Sequence, residues 1–257
     1  MSGSLRRRAN YLRFLAERRL KPERVLGAAD GEAALSLDMD AESRTLLLAF
    51  GGMKGRIGIP PFEFLSLTGE IPVKRLFVRD LRQAWYHRGV PGHGETVTAV
   101  ADSLAELLAQ HEVERLVVTG NSAGGYAALL FGALLGADVV LCFAPQTILD
   151  PDVLARIGDH RWDIHLLPLV ASDGLDRRYA DLGAALPGLA RRDTAYKVFF
   201  DETLGQDRAH AERLLDVPGV RLYRFGAGGH HLVRSLRDAG ALARLLQQAL
   251  ALEVRAR

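Results

Sequence analysis

Cysteine is nearly absent: the 257-residue chain holds one, Cys142. A single cysteine excludes an intrachain disulfide and leaves no basis for a cysteine zinc site. Its setting, "VVLCFA", is that of a thiol buried in a strand. Long hydrophobic runs are also missing. No stretch is long enough to span a bilayer, and the first residues lack the apolar core of a secretory signal. The expectation is a cytoplasmic protein without a membrane partner. Charge of one sign is missing too. Thirty-three basic residues face 31 acidic ones, for a net charge of +2, which gives no reason to expect a nucleic-acid partner. The one basic cluster, Arg6-Arg7-Arg8 followed by Arg18-Arg19, decorates a predicted amphipathic helix over residues 4–20.

What the chain does have is a globular composition, 48% hydrophobic and 25% charged, with no repeat and no linker-like segment. A single domain over 1–257 is expected, with an N-terminal helix over 1–22. "VLGAADGEAALSLD" reads as two short strands around Asp30-Gly31. From residue 44 onward, apolar runs mostly alternate with helical patterns. Strands are expected at 44–50, 73–80, 113–120, 137–145, 195–201 and 220–226, with a long closing helix after His231. That alternation predicts a mostly parallel sheet with helices on both faces. Residues 146–194, broken by Pro151, Pro168 and Pro187, show no clear period and are expected to form a lid-like insertion.

The most informative stretch is "VVTGNSAGGYAALL", residues 117–130. It reads as a strand, a tight turn and a helix of small residues, with Ser122 on the bend. Nine serines and 26 glycines give roughly 0.1 accidental Gly-x-Ser-x-Gly matches, so the pattern alone is suggestive. Its placement between a strand and a helix strengthens it. Such a serine must project from a sharp, strained turn, and Gly120 and Gly124 remove side chains that would clash there. The helix beginning after it aims free N–H groups and its positive end at the bend. The Ala123 N–H is then one candidate oxyanion donor. A second is expected where "LLLAF" ends in Gly51-Gly52, at the N–H of Gly52 or Met53. The plain alternative is a tight strand–helix crossing and an ordinary glycine turn.

A serine nucleophile needs a base, and the base a carboxylate. "RFGAGGHHLV" puts His230 and His231 in a glycine loop after the last strand. His230 is preferred and His231 is expected to pack toward the helix. "KVFFDETLGQDRAHAERL" offers Asp207, just before a predicted helix, and Asp201, at the strand end. Asp207 is preferred. Its plain reading is a helix N-cap, and that of Asp201 is a carboxylate that fixes the loop. Glu202 is a distant third.

These residues together resemble the α/β-hydrolase superfamily. The resemblance rests on Gly120-Asn121-Ser122-Ala123-Gly124-Gly125, the glycine pair after "LLLAF", and the downstream Asp and His in order. It spans roughly residues 25–257. It implies a sheet of about eight strands, acyl transfer through an acyl-serine, and no cofactor. The chain departs from the lipase pattern, since no His precedes Gly51-Gly52.

The expected function is a serine esterase or thioesterase acting on a small acyl substrate. An acyltransferase using the same acyl-serine is the alternative, and a non-catalytic binding protein on the same fold is the rival class. Self-association stays open. Asn121, Asp80 and Trp85 are the substrate-facing candidates; for Asp80 and Trp85 the plain reading is a loop anchored on the core, with Asp80 paired to an arginine. His160 and His165 in "HRWDIHLL" are too sparse to predict a metal, so none is expected.

Overall fold

The computed structural model describes residues 33–52, 67–68 and 71–251. The predicted N-terminal helix, the first strand of the predicted hairpin, the arginine cluster and Met53 lie outside them.

The apolar runs become strands β1 (Leu35–Asp38), β2 (Thr45–Phe50), β3 (Lys74–Val78), β4 (Arg115–Asn121), β5 (Val139–Phe143), β6 (Ala195–Asp201) and β7 (Val220–Phe225). They form one seven-stranded sheet in the order β1-β3-β2-β4-β5-β6-β7. β1 runs antiparallel to β3 and every other neighbouring pair is parallel. β2 shows why the central strands lack alternation. Leu46, Leu48 and Phe50 pack into the core on one face of the sheet, while Leu47 and Ala49 pack into the core on the other.

Helices α1 (Val97–Gln110), α2 (Ala123–Leu134), α3 (Pro151–Arg156), α4 (Asp163–Ala171), α5 (Leu182–Leu189), α6 (Gly205–Glu212), α7 (Leu232–Asp238) and α8 (Ala241–Ala251) complete the described residues. α2 is buried along almost its whole length, which is why its sequence is nearly all small or apolar. α7 and α8 cover the opposite face of the sheet through Leu232, Val233, Leu236, Leu242, Leu246 and Ala249.

Three sequence expectations change. The stretch 146–194 is not irregular, since it holds α3, α4, a 3₁₀ turn at Arg177–Tyr179 and α5. Pro151 sits in the first turn of α3, where its missing N–H costs nothing, but Pro168 and Pro187 lie inside α4 and α5 and obscured their pattern. Leu182 and Leu186 of α5 are fully buried, so this part of the segment belongs to the core. The closing helix is two helices, broken at Gly240, whose φ of +67° suits glycine. Finally, α6 begins at Gly205, so Asp207 stands in its first turn and is not its N-cap. Among the described residues no helix is long and apolar enough to cross a membrane.

Candidate active site

Parallel strands all deliver their carboxyl ends to one edge of the sheet, and four of those ends build the site. β4 ends at Asn121 and α2 begins at Ala123, leaving Ser122 alone on the bend with φ 58° and ψ −120°. A serine at an N-cap ordinarily spends its hydroxyl on the first-turn N–H groups. Ser122 makes no such bond; its Oγ lies 2.8 Å from His230 Nε2. The bend is tight enough that a methyl group on Gly120 would stand 2.0 Å from the Gly124 carbonyl oxygen. One on Gly124 would stand 2.3 Å from that of Phe50. This is why both flanking positions are glycine.

His230 sits in a 3₁₀ turn (Gly229–His231) after β7, and its Nδ1 is 3.0 Å from each oxygen of Asp207. Asp207 is almost wholly buried. Burial pushes its carboxyl up, but the hydrogen bond and charge of His230 and those of Arg161 outweigh burial and hold it below the usual carboxylate range. The carboxylate is therefore ionised near neutrality, and His230 Nδ1 carries the proton donated to it. Nε2 is then the bare nitrogen facing the Ser122 hydroxyl.

Asp201 does a different job. Its Oδ1 accepts from the Thr203 N–H (2.9 Å) and hydroxyl (2.6 Å), and its Oδ2 accepts from the Gly229 N–H (2.7 Å). It fixes the loop that presents His230. His231, expected to pack toward the helix, stands exposed at the N-cap of α7.

The first N–H of α2, that of Ala123, has no carbonyl within the helix to receive it. The Gly51-Gly52 pair after β2 lies near the start of α2, since a methyl on Gly124 would come 3.1 Å from the Gly51 carbonyl carbon. The Gly51 N–H donates to the Val78 carbonyl (2.8 Å). The Gly51 carbonyl accepts from the Tyr86 hydroxyl (2.9 Å), whose proton is shared with the Val78 carbonyl (3.0 Å). In a trans peptide, C=O and the following N–H point in opposite directions, so the Gly52 N–H is directed away from Tyr86. A methyl on Gly52 would sit 3.3 Å from the Asn121 carbonyl oxygen, which places Gly52 beside the Ser122 bend.

The expected substrate-facing rim is corrected. Trp85 is 1% exposed, and its indole N–H donates to Gln146 Oε1 (2.7 Å). Asp80 is 1% exposed, and its Oδ2 accepts from the Ala84 (2.7 Å) and Tyr86 (3.1 Å) N–H groups. Asp80 is spent on a turn in which Gln83, Trp85 and Tyr86 all have positive φ. His87 is locked as well. Its Nδ1 accepts from the Asp176 N–H (3.0 Å) and its Nε2 faces the Tyr126 hydroxyl (2.7 Å). A cavity of about 710 Å³ lined by Arg82, Arg88, Glu95 and Asp173 includes none of Ser122, His230 and Asp207. Asn121 is half-buried, with its side-chain oxygen unpaired. Among the described residues no cluster could hold a metal ion, and His160 pairs with Asp163 at the surface (3.0 Å).

Sequence reading missed Arg161. Its Nε and Nη2 fork onto Asp159 (2.8 and 2.6 Å), and its Nη1 reaches Asp207 Oδ1 (2.8 Å). The run Asp159-His160-Arg161-Trp162-Asp163 is dense in ionisable groups. Nothing in its spacing points to a partner 46 residues away.

No protein-family model and no curated protein matches the chain. Solved structures do match. An α/β hydrolase from a Medee basin deep-sea metagenome aligns with a TM-score of 0.57 and 13% identity, over 87% of this chain and 95% of that one. Est816, described as an N-acyl homoserine lactone degrading enzyme, aligns with a TM-score of 0.56 and 16% identity, over 86% and 98%. An α/β hydrolase from the metagenome of lagoon sediments at Mar Chica, Morocco, aligns with a TM-score of 0.54 and 17% identity, over 86% and 95%. The chain has the α/β-hydrolase fold.

Proposed function

We propose that the chain is a serine hydrolase that cleaves an ester or thioester through an acyl-serine. The observation that carries this reading is the unbroken line from Ser122 Oγ to His230 Nε2 (2.8 Å) and from His230 Nδ1 to Asp207 (3.0 Å), set on a bend whose backbone is strained at Ser122.

Ser122 Oγ attacks the carbonyl carbon while its proton passes to His230 Nε2. The carbonyl electron pair moves onto oxygen, where the Ala123 and Gly52 N–H groups receive it. Loss of one such donor costs about 3–4 kcal/mol in the transition state. The tetrahedral adduct collapses, the bond to the leaving group breaks, and that group takes the proton from His230. Water then attacks the acyl-serine, gives its proton to His230, and releases the acid as Ser122 recovers its proton. Asp207 stays ionised throughout, holding the imidazole ring and balancing its transient charge.

Fluorophosphonate labelling tests this. The wild type is expected to label at one site and Ser122→Ala not at all. A folded wild type that fails to label, or a Ser122→Ala protein that labels equally, refutes the proposal.

A further inference from the structure

We propose that Arg161 is a positioning residue for this reaction: it ties the segment between β5 and β6 to Asp207 and weakens the hold of that carboxylate on a proton at His230. The inference rests on the reading of Ser122, His230 and Asp207 given above.

A guanidinium is a flat fork of five N–H donors. Arg161 uses Nε and Nη2 on the two oxygens of Asp159 and Nη1 on Asp207 Oδ1. Both carboxylates are nearly fully buried, while the arginine is about a quarter exposed. Asp159 is fixed from behind. Its Oδ1 also accepts the Arg161 backbone N–H (3.1 Å), and its Oδ2 faces His210 Nε2 (3.1 Å). His210 Nδ1 accepts the Thr147 N–H (3.0 Å). A backbone amide can only donate, so Nδ1 is bare and His210 is neutral, with its proton on Nε2 toward Asp159. His210 and Asp207 are both on α6, three residues apart on one face. The arginine thus closes a bracket between that face and the segment before α4.

The charges then follow. At rest Asp159 and Asp207 are negative, Arg161 is positive, and His210 and His230 are neutral, so the cluster carries one negative charge. Arg161 Nη1 is only 3.4 Å from His230 Nδ1. Both groups are donors, so they converge on the same Asp207 oxygen and do not bond each other. An imidazolium formed at His230 shares its counter-ion with a cation already in place. Without Arg161 the resting cluster would carry two negative charges, and an imidazolium at His230 would have Asp207 as its counter-ion alone. Asp159 limits the opposite error by neutralising most of the arginine. The other groups facing His230 are Ser122 from the bend between β4 and α2, the Trp162 ring at 6.1 Å and the His231 ring at 6.2 Å. Asp201 reaches only the neighbouring Gly229 N–H. Of these residues, Arg161 is the one whose side chain is permanently cationic.

The test uses the full chain with p-nitrophenyl acetate hydrolysis and fluorophosphonate labelling, each followed against pH. It adds the proton NMR titration of His230, assigned by its loss in His230→Gln. Arg161→Gln is expected to move the acid limb, and the titration of the His230–Asp207 pair, upward by about one pH unit or more. Arg161→Lys should reverse most of that shift, since it restores charge without the fork. Asp159→Asn should move the limb downward, and it keeps the proposal open to refutation if Arg161→Gln does not fold. A uniform loss of rate with the limb and titration unmoved would make Arg161 merely structural and overturn the inference. A shifted titration with no labelling would sink the hydrolase reading and leave the coupling standing. Labelling with no shift does the reverse.

Discussion

The Tyr86 hydroxyl offers the sharpest test of how the site is held. Tyr86 is fully buried, with its ring edge-on to Phe50 (5.3 Å) and Phe131 (5.9 Å). Tyr86→Phe keeps that packing and removes only the oxygen. Burial, together with the charge of Asp80, pushes the phenol well above its ordinary range, so the hydroxyl always carries the proton it donates. Of its two acceptors, the Val78 carbonyl keeps the Gly51 N–H (2.8 Å), while the Gly51 carbonyl loses a partner. An acceptor orphaned in this way costs about 1–3 kcal/mol, or a fall in melting temperature of roughly 2–12 °C for a chain of this size. The larger effect is expected on turnover. With its carbonyl released, the Gly51-Gly52 peptide can rotate, and the Gly52 N–H is lost from the oxyanion role proposed for it. Complete loss of one such donor corresponds to about 10²–10³ in kcat, and a peptide that still visits the right orientation gives roughly tenfold. The measurement is p-nitrophenyl acetate turnover with thermal unfolding in parallel. The expected pattern is kcat down by about 10- to 100-fold, KM little changed and the pH profile unmoved. A Tyr86→Phe protein that is less stable but turns over at the wild-type rate would show that the Gly52 N–H is not held for this purpose.

Two further predictions separate the carboxylates and the buried histidine. Asp207→Asn should lower kcat on the order of 10⁴-fold, because an amide N–H facing His230 Nδ1 forces the wrong tautomer. Asp201→Asn, which loses only one acceptor for the His230 loop, should cost under roughly tenfold; the reverse ranking would assign the acid to Asp201. His87 bears on stability alone. Burial outweighs the charge of Asp176 and takes its imidazole down to about 4 from the ordinary 6.5. Its folded value thus lies below its unfolded one. The neutral-ring stability is complete above pH 6.5 and is lost as pH falls toward 4, by about 3 kcal/mol in all. Denaturant unfolding followed between those pH values should show His87→Gln with a flatter profile than the wild type. An equally steep loss in both would refute the assignment.

Much of this was legible in the chain. Ser122 stood out because a nucleophile on a strand–helix bend needs glycine two residues to either side, a local steric demand that sequence records directly. The central strands were legible because burial on both faces leaves an unbroken apolar run. The segment 146–194 was not, because prolines inside α4 and α5 imitate the breaks of a loop, and nothing local says that tertiary packing will override them.

The sequence already favoured Asp207 over Asp201, and the folded chain shows what separates them. Asp201 ends β6 and Asp207 follows it, and they differ in what already occupies their oxygens: Thr203 and Gly229 for Asp201, His230 and Arg161 for Asp207. Asp80 and Trp85 looked like a rim because strand ends usually carry sites. They are core because a strained turn folds them inward onto Gln146 and the Ala84 and Tyr86 amides. Arg161 left no trace at all, since its partner is 46 residues away and ion pairing follows distance in space. By itself the sequence determined the placing of Ser122 on its bend and the direction of the sheet, which are matters of local backbone and hydrophobic burial. The partners of Asp207 and Asp201, the aim of the Gly51-Gly52 peptide and the charge set around His230 were decided by long-range contacts, where a side chain's role depends on which of its hydrogen-bonding positions remain open.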